Sequence, residues 1–156
     1  MTKKPKSVAT ILERELESTI KEWLRRVNLL SVPAHIPLND EDRASHLPKL
    51  FRDLACRLRL AEDAHLPKST AATEHGNRRR NQGYSPAMLV EESRLFQVVT
   101  FQTLHRHQGE LDQDQLLLDI VVIADEVDLQ LMHAVRCFET QPAQPQLRRE
   151  DSILGN

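Results

Sequence analysis

The stretch SPAMLVEESRLFQVVTFQTLH, Ser85 to His105, decides the fold. Ser85 offers a side-chain oxygen to the free N–H groups of a first helical turn. Pro86 suits the first helical position, where its missing N–H is one that no intrahelical carbonyl would use. On a helical wheel drawn from Pro86, Met88 and Leu89 lie one turn before Glu92, and Leu95 and Phe96 one turn after it. The apolar face therefore continues through a carboxylate, in a helix that runs to about His105.

Outward from this helix the chain repeats the same period. Immediately upstream, Pro67, Ser69 and Thr70 open a short helix from about Ala71 to Gln82, and Gly83 stands where a helix terminates. Near the start, Leu12, Leu16, Ile20, Trp23, Leu24 and Val27 mark a helix from about Ile11 to Leu30, behind a Thr10–Glu13 capping box. Pro33 and Pro37 interrupt it. Asn39 and the acidic run Asp40, Glu41, Asp42 then cap a second helix carrying Leu47, Leu50, Phe51, Leu54, Cys56 and Leu58, with Pro48 early in it. Downstream, His107, Gln108 and Gly109 break the pattern, and Asp112 with Gln115 caps a fifth helix reaching about Phe138. No strand-type alternation occurs anywhere. The expectation is an all-α bundle of about five helices, either a four-helix bundle or globin-like, over residues 1–140. Residues 141–156 read as a polar linker or tail toward an output domain.

Composition sets the class. A chain of 156 residues buries roughly 68–70% of its unfolded surface, enough for one core without disulfide or metal support. Cys56 and Cys137 lie in apolar helical stretches with no CxxC spacing and read as reduced core cysteines. No signal-peptide apolar region follows Met1, and no run of about 18 apolar residues exists, so a cytoplasmic protein without a membrane span is expected. Lys and Arg number 21 against 23 Asp and Glu, which removes the electrostatic footprint of a nucleic-acid-binding domain. Arg78, Arg79 and Arg80 point three ways round one helix.

Charge set against the pattern locates the candidate site. A buried Glu92 requires a cation or a proton, because an isolated carboxylate in an apolar interior costs several kcal/mol. His75, Arg79 and Gln82 share one face of the preceding helix, with the small Ala71 and Ala72 one turn earlier. In the fifth helix Asp125 and Asp128 fall beside Val121, Val122, Leu129 and Met132, marking that helix as central or as an interface. The expected arrangement is a buried polar cluster of His75, Arg79, Glu92 and Asp128, with Tyr84 donating its hydroxyl. Its simplest role is to fix helix register; a ligand site is the sharper one.

The run His75-Gly76-Asn77-Arg78-Arg79-Arg80-Asn81-Gln82-Gly83-Tyr84-Ser85, followed by Leu89-Val90-Glu91-Glu92-Ser93-Arg94-Leu95-Phe96, resembles the N-terminal domain of RsbT co-antagonist proteins and of related bacterial sensor histidine kinases. His75, Arg79, Gln82, Gly83, Tyr84, Glu92 and Arg94 match that family's pattern, and Asp128 fits its last helix; Ser93 stands where an aromatic is common. The likeness is concentrated in residues 71–138. It implies a non-catalytic helical input domain that biases a histidine kinase or a stress-response regulatory module; the wide apolar arc of the fifth helix separately suggests a homodimer formed by it or by its neighbour. A helical dimerisation or scaffold module without a ligand is the alternative. Neither haem nor metal is expected: His105 and His107 diverge, His75 has no partner at i+4, no HExxH or cysteine pair exists, and His35, His46 and His65 fall near loops. No nucleophile constellation or phosphate loop points to an enzyme.

Overall fold

The computed structural model describes residues 4–30, 35–60 and 70–139, an all-α helical bundle. The first periodic stretch divides into α1 (Val8–Arg14) and α2 (Leu16–Val27), with a turn at Glu15. The N-cap of α1 is Ser7, whose side chain accepts from the Thr10 N–H, so the helix starts a turn earlier than the Thr10–Glu13 spacing indicates. The second stretch also divides, into α3 (Asp40–Ala44) and α4 (Leu47–Arg59), because Pro48 sits at the start of α4 and denies it a continuous approach. Asn39 caps α3 by accepting from Asp42 N–H.

Helix α5 (Ala71–Asn81) ends in Gly83, whose φ of +90° is the left-handed conformation that glycine adopts without strain. One residue beyond Tyr84, Ser85 accepts from Met88 N–H and opens α6 (Pro86–Arg106). A 3-10 turn, Gln108–Glu110, and the Asp112 cap then lead into α7 (Gln113–Arg136). Pro67 and Ser69 lie outside the described residues, as do His65 and the segment after Glu139. Among the described helices none is long and apolar enough to cross a membrane.

The core forms where α1, α2, α4, α6 and α7 turn their apolar stripes together, around Ile11, Leu12, Trp23, Leu47, Leu54, Leu95, Val99, Ile123 and Val127. Burial of an aliphatic side chain of this kind contributes about 1.5–3 kcal/mol. Cys137 belongs to the buried set, but Cys56 is exposed on α4, a correction to its reading as a core residue. It lies one position past the buried Leu54 and Ala55, on the outer side of the helix. Two hydroxyls tie α2 to α6 inside the core, Thr19 Oγ1 and Thr103 Oγ1 lying 3.0 Å apart.

Helix α5 is too polar to hold itself on the core by its own apolar surface. It is held by proximity to α7: Gly76 lies so close that a Cβ on it would stand 2.3 Å from the carbonyl oxygen of Ala134. Ala72, one turn before Gly76, is also buried, so a strip of minimal side chains lets the two backbones meet. Cys137 Sγ donates to the Thr73 carbonyl at 3.4 Å, and Arg80 donates to the carbonyl of Cys137, pinning the far end of the same pair.

This approach sets the sign of one substitution. In a solvent-facing helix Gly→Ala stabilises by about 1 kcal/mol; here Gly76→Ala should destabilise by about 1–3 kcal/mol through overpacking. Urea unfolding distinguishes the two, and a stabilised variant would show that α5 and α7 do not touch at Gly76.

Candidate functional site

The polar cluster assembles from six pieces of backbone. Trp23 comes from α2, Arg43 from α3, His46 from the α3–α4 junction, His75 and Arg79 from α5, Tyr84 from the turn, and Glu92 from the middle of α6. Arg79 has no solvent exposure. A guanidinium in that position needs an acceptor for each of its N–H directions, and it has three. Nε donates to Glu92 Oε2 at 3.1 Å, one terminal nitrogen donates to Gln82 Oε1 at 2.9 Å, and the other donates to the main-chain carbonyl of Arg43. The guanidinium also lies over the Tyr84 ring, 4.7 Å from its centre.

Glu92 is bound from both sides. Its second oxygen accepts from the Tyr84 hydroxyl at 2.7 Å, and that hydroxyl in turn accepts from Arg43 at 2.8 Å. Its main-chain carbonyl accepts from Trp23 Nε1 at 3.1 Å, which ties α2 to the same residue. Burial pushes the Glu92 carboxyl up, with the pull of Arg79, Tyr84 and Arg43 opposing. Burial, and then the charge of Glu92, raises the Tyr84 phenol and keeps it a hydrogen donor.

Two imidazoles complete the site. His46 and His75 stack with ring centres 3.6 Å apart and planes within 11°, and Trp23 meets His46 edge-on at 5.8 Å. Burial, and then the charges of Arg79 and Arg78, pulls His75 down to about 3. His46 is held well below its ordinary value, first by burial, then by His75 and the same arginines. His75 Nε2 stands 4.0 Å from Glu92 Oε2, and its Nδ1 is buried without a hydrogen-bond partner among the described residues. The two rings border a pocket of about 30 Å³ whose wall includes Ser93, Phe96, Gln130 and Leu131. That volume holds a couple of water molecules.

His75, Arg79, Gln82, Tyr84 and Glu92 thus come together as the helical spacing implies. Two expected members do not. Arg94 is exposed and pairs with Glu91 at 2.9 Å, because two residues past Glu92 the helix has turned it away from the cluster. Asp128 is exposed as well, and so is Asp125; the inward polar residues of α7 are Glu126 and Gln130. Gln130 Nε2 donates to Glu126 Oε1 at 3.2 Å, and burial raises the Glu126 carboxyl. The wide apolar arc of α7 is real but points outward: Leu117, Leu118, Val121, Leu129 and Met132 are exposed on the face that also carries Asp125 and Asp128.

Sequence reasoning also missed Arg43, His46 and Gly76. The sequence places His46 near a loop, yet its imidazole is buried, because the break between α3 and α4 turns inward beneath Trp23. Arg43 had a signal, since it precedes Leu47, Leu50 and Leu54 at spacings of four, three and four and so lies on their apolar face. Gly76 had one too, four residues after Ala72.

Removing the carboxylate should leave Arg79 buried and unpaired. Glu92→Ala is expected to cost about 3–5 kcal/mol in chemical unfolding, while Arg94→Ala and Asp128→Ala stay within about 0.5 kcal/mol of wild type. A large loss at Asp128 would put α7 the other way round.

The histidines set a pH dependence. Their pKa values are depressed on folding, so the unfolded chain binds the extra protons; stability is full above the ordinary imidazole value of 6.5 and falls as the pH drops below it, for His75 down to about 3. Glu92, raised on folding, works in the opposite sense below its folded value. Lowering the pH from about 7.5 to about 5.5 should remove roughly 1 kcal/mol per buried imidazole. A His46→Gln/His75→Gln variant should lose that slope, and an unchanged slope would place both rings in solvent.

Compared with protein-family models, with curated proteins and with solved structures, the chain matches none.

Proposed function

We propose that this chain is a non-catalytic input domain of bacterial signal transduction, acting in the cytoplasm to bias a histidine kinase or a stress-response regulatory module. The observation that carries this reading is the convergence of five residues that bear the likeness to RsbT co-antagonist N-terminal domains. His75, Arg79, Gln82, Tyr84 and Glu92 form one buried network at the point where α5, the turn after it and α6 meet. A purely structural bundle has little need of two arginines and a carboxylate at its centre, since an apolar core of the same volume is as stable or more so. A polar hub with two discrete arrangements is what a switch requires. Helix α7, packed backbone-to-backbone on α5 at Gly76, is positioned to carry a change at the hub toward the C-terminal end.

The exposed apolar face of α7 supports the homodimer that such a role calls for. Leu117, Leu118, Val121, Leu129 and Met132 fall within one third of the helix circumference, and two copies of that face would bury each other. A dimerisation module with no signal is the second reading, favoured by this face alone.

One measurement tests the α7 interface that both readings share, and a second separates them. Leu118→Glu should convert a dimer to a monomer in light scattering coupled to gel filtration; equal masses for variant and wild type would remove the α7 interface. For signalling, the full chain is fused ahead of the phosphoacceptor helices of a histidine kinase. Tyr84→Phe and Gln82→Ala, which loosen the hub without emptying it, should change autophosphorylation severalfold while the fusion stays dimeric. Equal rates in all three would leave the dimerisation module as the reading.

A further inference from the structure

His46, His75 and Glu92 reach the same pocket from the α3–α4 junction, α5 and α6, and one donor atom of each lies within 4.8 Å of the other two. Neighbouring donors on a tetrahedral ion with bonds of about 2.0–2.1 Å stand about 3.3 Å apart. The His46 and His75 rings lie stacked, 3.6 Å apart and within 11° of parallel, so closing the set around one ion requires one imidazole to turn out of the stack and point its in-plane nitrogen at the ion. A further observation bears on what belongs there. His75 is buried with Nδ1 lacking any hydrogen-bond partner among the described residues, and its Nε2 stands 4.0 Å from Glu92 Oε2. A buried ring nitrogen left unpaired is costly unless something binds it.

We propose that His46, His75 and Glu92 form a binding site for one divalent transition-metal ion of the zinc class, with an open coordination position facing the pocket. Two imidazoles and one carboxylate make a borderline donor set, suited to zinc, cobalt or nickel and poorly matched to magnesium or calcium, which take oxygen donors. Three protein ligands with a vacant position are the pattern of an accessible site, in contrast to the four of a closed structural one. The pocket of about 30 Å³ has room for the ion and a water molecule or a small exchangeable ligand. Arg79 acts against the ion, since its Nε already holds Glu92 Oε2 at 3.1 Å and adds positive charge. Tyr84 on the other oxygen likewise draws electron density away. The affinity expected is accordingly micromolar, well short of a structural zinc site. The site stands independently of the input-domain reading; combined with it, the ion is the signal.

The test uses the full chain without an affinity tag, stripped of metal by chelator and dialysis. Cobalt(II) is titrated in while visible absorption is followed, then displaced with zinc, and stoichiometry is taken from calorimetry. One cobalt per chain with the visible bands of a four-coordinate ion is expected. His46→Gln and His75→Gln should each weaken binding by roughly a hundredfold. His107→Gln, which alters the separate half-buried group of His107, Glu15 and Glu110, should leave it unchanged. No saturable binding at millimolar metal, or binding that survives in a folded His46→Gln/His75→Gln variant, would overturn the site. Should those variants fail to fold, imidazole nitrogen NMR of the wild type under zinc titration decides it. The His46 and His75 signals must then shift, and their remaining in place would equally overturn the proposal.

Discussion

The structure depends on one constraint: Arg79 is fully buried, and everything around it is arranged so that its charge is answered. Glu92 supplies the counter-charge, Gln82 and the Arg43 carbonyl take the remaining donors, and Tyr84 both covers the guanidinium and holds the carboxylate. Because these groups come from α3, α5, α6 and the turn between the last two, satisfying one side chain fixes the relative position of all four. Trp23, hydrogen-bonded to the Glu92 carbonyl, brings α2 into the same arrangement. The hydrophobic core drives the bundle to collapse; the ion pair chooses which collapsed arrangement is native, since any register that parts Arg79 from Glu92 strands a charge in an apolar interior.

Helix α5 shows why that choice matters. Its sequence is mostly polar, and alone it would not stay on an apolar surface. Two different devices hold it: the charge network on one side, and at Gly76 a backbone contact that excludes even a methyl group. A helix attached by contacts rather than by bulk hydrophobic area has few alternatives of intermediate energy. Its place on the bundle therefore rests on those two devices.

Much of this was legible in the sequence, and the failures share a cause. The five periodic stretches, the Ser85 cap, the Gly83 terminus and the pairing of a buried Glu92 with Arg79 follow from local spacing, which a helix converts directly into geometry. Asp128 and Arg94 were misplaced because a wheel identifies which residues share a face, not which face a neighbour covers; α7 turned its apolar arc with Asp128 outward and buried Glu126 and Gln130 instead. His46 was missed since it stands in a break between helices, where periodicity carries no information, and its partner lies 29 positions later. Those long-range meetings depend on how α3, α4 and α5 pack, and no local pattern encodes them.

The central claim is that Arg79 and Glu92 act as one unit. A double-mutant cycle with Arg79→Met and Glu92→Leu, read by chemical unfolding, tests it most directly. Each single change should cost about 3–5 kcal/mol because it leaves the other charge buried alone. The double variant should recover about 2 kcal/mol or more of the summed loss, since neither charge then remains. Strictly additive losses would mean that the two side chains are satisfied separately, and the hub on which this account rests would not exist.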